Sequence, residues 1–193
     1  MKMEKAPAND QPMIKMKAFH LVVEGRGLSE YWLHLQVPIK ARLEDLDYFL
    51  RQTWLECCGH MSMFHIENRQ YSSAPLEEEE ALDMHLPLSK VLQPKTKFHY
   101  EYDFGTTTEL ALKVIAELDI QTPQTSIEIL AQNDPPTIPC GICKKPATEI
   151  CSCCSHSPEG WLCSSCIKQH ECGEDMFLPI VNSPRTGQCA YSG

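Results

Sequence analysis

Positive charge is scarce in this chain. Its 193 residues hold 17 Lys and Arg against 26 Asp and Glu, a formal net charge of −9 with neutral histidines. Residues 1–138 carry 13 basic against 21 acidic side chains, and residues 139–193 carry 4 against 5. Neither part offers the basic stripe that a phosphate backbone requires, so nucleic-acid binding ranks low. Long apolar runs are also missing: nothing approaches the roughly 18 consecutive apolar residues of a membrane-spanning helix. Met1 to Met13 is polar and proline-containing, without the basic end and apolar run of a secretory leader. The expectation is a cytoplasmic protein whose thiols stay reduced. His-Glu-x-x-His, Gly-x-Ser-x-Gly and phosphate-cradling glycine loops are absent too, which removes the common hydrolase and nucleotide-binding signatures.

Cysteine is abundant, and unevenly placed. Of 11 cysteines, eight fall between Cys140 and Cys172, as Cys140-x2-Cys143, Cys151-x-Cys153-Cys154, Cys163-x2-Cys166 and Cys172, with His170 between the last two. Thiolates two residues apart reach one cation from a single tight turn, and two such pairs close a tetrahedron around zinc. A segment of roughly 55 residues is near the size at which a core alone is marginal and a metal supplies the difference.

Three units follow along the chain: a flexible leader over 1–13, an α+β domain over 14–136, and a zinc-binding module with a C-terminal tail over 137–193. In the second unit, Ile14 to Val23 is β-prone, Glu24-Gly25-Arg26-Gly27 supplies turn chemistry, and Tyr31, Leu33, Leu35 and Val37 alternate up to Pro38, which predicts an antiparallel hairpin. Leu43, Leu46, Phe49, Leu50 and Trp54 recur at helical spacing behind Glu44, Asp45 and Asp47, giving an amphipathic helix that ends near Gly59. Ser62 to Ile66 reads as a short strand, and Glu77 to Glu80 as a solvated charge run. Phe98, Tyr100, Tyr102 and Phe104 at period two make the strongest strand, broken at Gly105. Glu109 to Leu118 scores both as a returning strand and as a helix; Ile127 to Leu130 reads as a last short strand. Asn133-Asp134-Pro135-Pro136 and Pro139 form a stiff linker.

The helix from Leu43 to Trp54, then His60-x-Ser62-x-Phe64, then Lys97-Phe98-His99-Tyr100-Glu101-Tyr102-Asp103-Phe104-Gly105, resembles the plasmid pRi Orf-three-like family, also labelled transposon-passenger TnpR-like. The resemblance spans roughly residues 14–136, and its best motif is Tyr102-Asp103-Phe104-Gly105. It implies a compact α+β domain, an antiparallel sheet with one or two packed helices, in a protein associated with mobile elements. It carries no biochemical activity with it. Thr106-Thr107-Thr108-Glu109-Leu110 departs from the acidic and Trp-x-His-like continuation of that family. The tail Leu178 to Gly187 resembles the ending of its zinc-bearing members.

Within the cysteine cluster, Cys140, Cys143, Cys163 and Cys166 are assigned to one treble-clef-like zinc, with the Cys163 pair opening a helix. Cys151, Cys154, His170 and Cys172 are assigned to a second, in an interleaved cross-brace similar to MYND or B-box modules. The competing sequential order groups Cys140, Cys143, Cys151 and Cys154, then Cys163, Cys166, His170 and Cys172, and would put Cys166 and His170 on one helix face. Cys153 is a spare thiol able to replace Cys151 or Cys154. His156, Cys189 and the Cys57-Cys58 pair are read as ordinary side chains outside any site. Four protein ligands per ion leave no position for substrate, which favours two structural zinc ions over catalytic ones. The function expected is that of a zinc-binding interaction or scaffold protein with a protein partner. The alternatives are a nucleic-acid-binding accessory protein and a metal-dependent hydrolase using His60, His99 and Asp103. No small-molecule substrate is indicated.

Overall fold

The computed structural model describes residues 13–75, 81–122 and 125–193; the leader up to residue 12 and the Glu77 to Glu80 run lie outside these. Eight strands form one sheet: β1 (Ile14–Gly25), β2 (Leu28–Pro38), β3 (Ser62–Ile66), β4 (Arg69–Ser72), β5 (Leu82–Asp83), β6 (Lys97–Tyr102), β7 (Thr108–Thr122) and β8 (Glu128–Gln132). Their order is β5-β4-β3-β6-β7-β1-β2-β8. Every pairing is antiparallel except β4 with β5. The ambiguous stretch after Glu109 is strand: β7 is bonded on one side to β6 and on the other to β1. Alternation of buried Thr108, Leu110, Leu112 and Val114 with more exposed neighbours wins over helical spacing, because the β-branched Val114, Ile115, Ile120 and Thr122 suit a strand.

Among the described residues a single α-helix, α1 (Leu43–Leu50), lies against this sheet and runs on into one π-helical turn over Arg51–Leu55. The expected helix is therefore four residues shorter at its end than the turn at Gly59 suggests. At its start the Asp45 carboxylate accepts from the Arg42 backbone N–H at 2.7 Å, which satisfies one of the donors a helix start leaves unbonded. Leu43, Leu46, Leu50, Trp54 and Leu55 pack in one cluster with Leu21, Val23, Leu35, Phe64, Tyr100 and Leu112. Asp47 is not a solvated first-turn acid but is buried. It accepts from the Ser62 hydroxyl at 2.5 Å and from the Tyr100 hydroxyl at 2.7 Å, pinning α1 to β3 and β6.

The aromatic strand stops two residues earlier than its period implies. Tyr102 ends β6, Asp103 adopts a left-handed backbone with φ 65°, and Phe104 turns out to solvent. The reason lies far along the chain. Arg185, fully buried, donates from Nη2 to the Asp103 carboxylate at 2.7 Å and from Nη1 to the Thr108 hydroxyl at 2.9 Å and the Thr106 carbonyl at 3.2 Å. Asp103 also accepts from the Gly105 and Thr106 N–H groups. The C-terminal tail is thus built into the sheet domain, with Ser183 donating to the Trp54 carbonyl at 2.6 Å.

Residues 139–181 form a smaller lobe around a three-stranded antiparallel sheet in the order β10-β9-β11, from β9 (Glu149–Cys151), β10 (Trp161–Leu162) and β11 (Phe177–Pro179). Its base is pinched shut. Asn133 donates to the Asn182 side chain at 2.7 Å, Asn182 returns a bond to the Asn133 carbonyl at 3.1 Å, and Asn133 also accepts from the Trp32 N–H at 2.9 Å.

Removing one member of a buried ion pair strands the other in a dry site, at a cost of about 3–5 kcal/mol. Arg185→Met is expected to lower unfolding free energy in urea by that order, and the Asp103→Asn/Arg185→Met double variant by clearly less. Burial acts to raise the Asp103 carboxyl, but Arg185 and the Thr106 and Gly105 N–H groups outweigh it and hold the carboxyl below its ordinary 3.8. A depressed carboxyl stabilises above its unfolded value and ceases to as pH falls through the folded one. Wild-type stability should therefore decline below about pH 4 more steeply than that of the double variant; parallel curves would contradict the pairing.

Candidate metal centres

Site one is assembled from two turns. Cys140 N–H donates to the Lys145 carbonyl and Lys144 N–H to the Cys140 carbonyl, at 2.7 and 3.0 Å, with Lys144 left-handed at φ 64°. This knuckle carries Cys140 and Cys143. The second turn has the Cys166 and Ile167 N–H groups donating to the Cys163 carbonyl at 3.0 and 3.1 Å. Gly141 N–H reaches the Trp161 carbonyl at 2.8 Å and ties the turns together. A Cβ at Gly141 would strike the Pro158 backbone, so only glycine allows this approach. The four sulfurs all lie within 4.8 Å of one another, with Cys143 and Cys163 at 3.5 Å.

Site two takes Cys151 from the end of β9, Cys154 from the short 3-10 turn Ser152–Cys154, and His170 and Cys172 from the segment after the turn Ile167–Gln169. Their donor atoms also lie within 4.8 Å of one another, with the Cys154 and Cys172 sulfurs 3.9 Å apart. His170 Nε2 is buried without a hydrogen-bond partner. A buried nitrogen in that state is costly unless it has a ligand to meet. Donors therefore alternate along the chain, two to site one, two to site two, and again, in the interleaved order. The sequential grouping is not what the structure brings together. The helix expected after Cys163 is also absent: a single 3-10 turn stands there, and His170 is extended at φ −80° and ψ 136°, so that Cys166 and His170 serve different groups. Cys153 is exposed and belongs to neither, and His156 is exposed in a loop.

The thiols cannot all ionise in such crowding. In site one the Cys143 backbone N–H, with those of Cys163 and Ile142, brings Cys140 down to about 6, whereas the neighbouring Cys143, Cys163 and Cys140 thiols push Cys166 up to about 12. In site two burial opposes ionisation of Cys151, but the Cys154 N–H, His170 and Cys172 bring it to about 7. Cys172, facing Cys151 and Cys154, is pushed up to about 12. In each group a thiol drawn toward ionisation thus stands beside one pushed away from it; a divalent cation removes that conflict and displaces the remaining protons. All-sulfur and sulfur-rich four-donor sets suit zinc, and these residues fit it.

The hydrolase constellation does not form. His60 Nε2 comes within 3.4 Å of Asp103, but that carboxylate is committed to Arg185. His99 sits on the exposed face of β6 opposite His65 and joins no donor group among the described residues. A third group does form, from Cys57, Cys58, His60 and Cys189, which spacing along the chain could not have exposed. Cys189 lies 131 residues beyond Cys58.

Residues 19–144 match the family described as plasmid pRiA4b ORF-3-like protein. The chain belongs to that family. The match takes in α1 and the eight-stranded sheet apart from the first five residues of β1, and ends just past the first cysteine knuckle, so most of the metal lobe lies outside it. No curated protein matches the chain. Among solved structures, the crystal structure of a protein of unknown function from Methanosarcina mazei Go1 is similar over 60% of this chain and 69% of that one, at 18% identity and a TM-score of 0.55, a likeness of fold. Among the described residues, no helix is long and apolar enough to cross a membrane.

Because Cys153 is exposed and outside the donor group, Cys153→Ser should leave metal content unchanged and the unfolding free energy within the range of a neutral surface change, about 0.5 kcal/mol. Cys151→Ser should lose one metal equivalent, measured by inductively coupled plasma mass spectrometry. The reverse pattern would show that Cys153 is the ligand.

Proposed function

We propose that this chain is a zinc-stabilised interaction protein, in which the sheet domain carries a cross-braced lobe held by two closed zinc sites and presenting a surface to a protein partner. The observation that carries the reading is the pair of interleaved four-donor groups between Cys140 and Cys172. Each supplies a full tetrahedral set, leaving no open position for water or substrate, so the ions act on structure. Such a lobe has little else to hold it: Ile150, Leu162 and the Cys140, Cys151 and Cys163 side chains are its buried apolar groups. Ile142 at the knuckle tip is 54% exposed and Met176 is 37% exposed, apolar side chains that a partner would cover. The net charge of −9 argues for protein over nucleic acid. Thiolate ligation fits a reducing, cytoplasmic setting, and the plasmid in the family's description supports a mobile-element context.

Zinc should be lost one equivalent at a time in Cys163→Ser and Cys172→Ser, and a strong chelator should abolish amide protection across residues 140–179. Iron in place of zinc, or full protection after metal removal, would overturn the structural role. Ile142→Ser should keep its zinc yet lose the partner recovered from the native host by crosslinking at that position. Salt-sensitive DNA binding at physiological ionic strength would instead favour the nucleic-acid reading.

A further inference from the structure

We infer that Cys57, Cys58, His60 and Cys189 form a third zinc site, which staples the C-terminal tail to the end of the helix in the sheet domain. The four donor atoms lie within 4.8 Å of one another. Cys58 Sγ is 3.6 Å from Cys57 Sγ and 3.6 Å from Cys189 Sγ, and His60 Nε2 is 2.9 Å from Cys58 Sγ and 3.2 Å from Cys189 Sγ. Zinc–sulfur bonds of about 2.3 Å and zinc–nitrogen bonds of about 2.0 Å place tetrahedral donors roughly 3.5–3.8 Å apart, so a cation at their centre needs only small shifts.

Local backbone supports the convergence. Cys57 and Cys58 follow directly on the π-helical turn and Glu56. Gly59, at φ 78° with nothing near a Cβ position, reverses the chain so that the next side chain turns back toward the sulfurs. At the other end Gly187, Cys189 and Ala190 have φ of 82°, 45° and 55°. Two successive non-glycine residues in the left-handed region cost about 1–3 kcal/mol each and persist where their surroundings over-determine them. Here the result is a cysteine sulfur aimed at Cys58 and His60.

The surroundings also suit the charge. Zinc with three thiolates and one neutral imidazole carries one net negative charge, and binding releases three thiol protons. Arg185 Nη2, 3.4 Å from Cys57 Sγ, donates to that thiolate as an outer partner of the kind that tunes metal ligands. Asp103, 3.4 Å from His60 Nε2, keeps its bonds to Arg185, Gly105 and Thr106 when that nitrogen turns to the metal. A disulfide is the competing outcome for two of these sulfurs. It requires closure from 3.6 Å to about 2.05 Å and leaves the third thiol and the imidazole without a role.

The site uses none of the eight donors of the lobe, so zinc counting separates the two. The full-length protein, purified reduced with zinc and then desalted, should hold three equivalents by mass spectrometry. Cys58→Ser/Cys189→Ser should hold two. In the cobalt-substituted protein the sulfur-to-metal charge-transfer band should fall by about three-tenths in that variant, as three of ten ligating thiolates are lost. His60→Cys, which preserves a ligand, should retain the third equivalent, and His60→Ala should lose it. An unchanged zinc count in both Cys58→Ser/Cys189→Ser and His60→Ala overturns the site, as does a wild-type mass two hydrogens light from a Cys58–Cys189 disulfide. Residual zinc below two in these variants would count against the lobe and not against this site.

Discussion

A guanidinium with no access to water must find its partners inside the protein, and Arg185 finds its oxygen acceptors on one strand connection. Its bonds to Asp103, Thr106 and Thr108 explain why β6 ends at Tyr102, why Asp103 tolerates a left-handed backbone, and why β7 begins where it does. The same bonds decide the course of the tail. Once Arg185 is seated, Ser183 meets the end of the helix and residues 187–190 are left beside the Cys57–His60 loop. The guanidinium also stacks over the Tyr102 ring at 4.8 Å, a further favourable contact. Three features distant in sequence thus share one electrostatic origin.

The second constraint is repulsion among thiolates. Each group of four donors contains a thiol drawn toward ionisation by backbone N–H groups or a cation and another pushed up to about 12 by its neighbours; in the third group Cys58 is pushed up to about 12 by Cys189 and Cys57. Crowding of this kind is unfavourable without a compensating positive charge, and the fold brings it about three times. Arg185 supplies part of that compensation at Cys57. The lobe has no buried arginine or lysine among its own residues, which leaves the compensation there to a cation from outside.

Much of this was readable from residue order. Alternation at Tyr31 to Val37 and at Phe98 to Tyr102 gave the strands, and the spacing Leu43, Leu46, Leu50, Trp54 gave the helix, because burial on one face imposes a period. The pairing of cysteines between Cys140 and Cys172 was legible for a similar reason, since tight turns impose their own spacing, but that spacing allowed both the sequential order and the interleaved one in which the donors converge. What escaped was long-range. Asp47 carried the pattern of a first-turn acid, and nothing in its neighbourhood announces hydrogen bonds from Ser62 and Tyr100. Phe104 continued a perfect period that an arginine 81 positions later in the numbering interrupts. Cys57-Cys58 and Cys189 each read as bland because a donor group divided between helix end and tail leaves no periodic trace.

The lobe's attachment follows from these contacts and bears on how metal and fold communicate. Asn133 and Asn182 bond to each other in both directions, and Trp32 in β2 binds Asn133, so the segment between them is a loop closed at its base upon the sheet. Closing a loop costs entropy that grows only with the logarithm of its length. The sheet domain, through Arg185 on one side and Asn133 on the other, has already met that cost before any ion binds. A cation bound by the lobe would then need to order only the interior of a tethered loop, which a core built on Ile150 and Leu162 could not do alone. A lobe released from Asn133 and Arg185 would face its full chain entropy with two groups of four donors and little buried surface to oppose it.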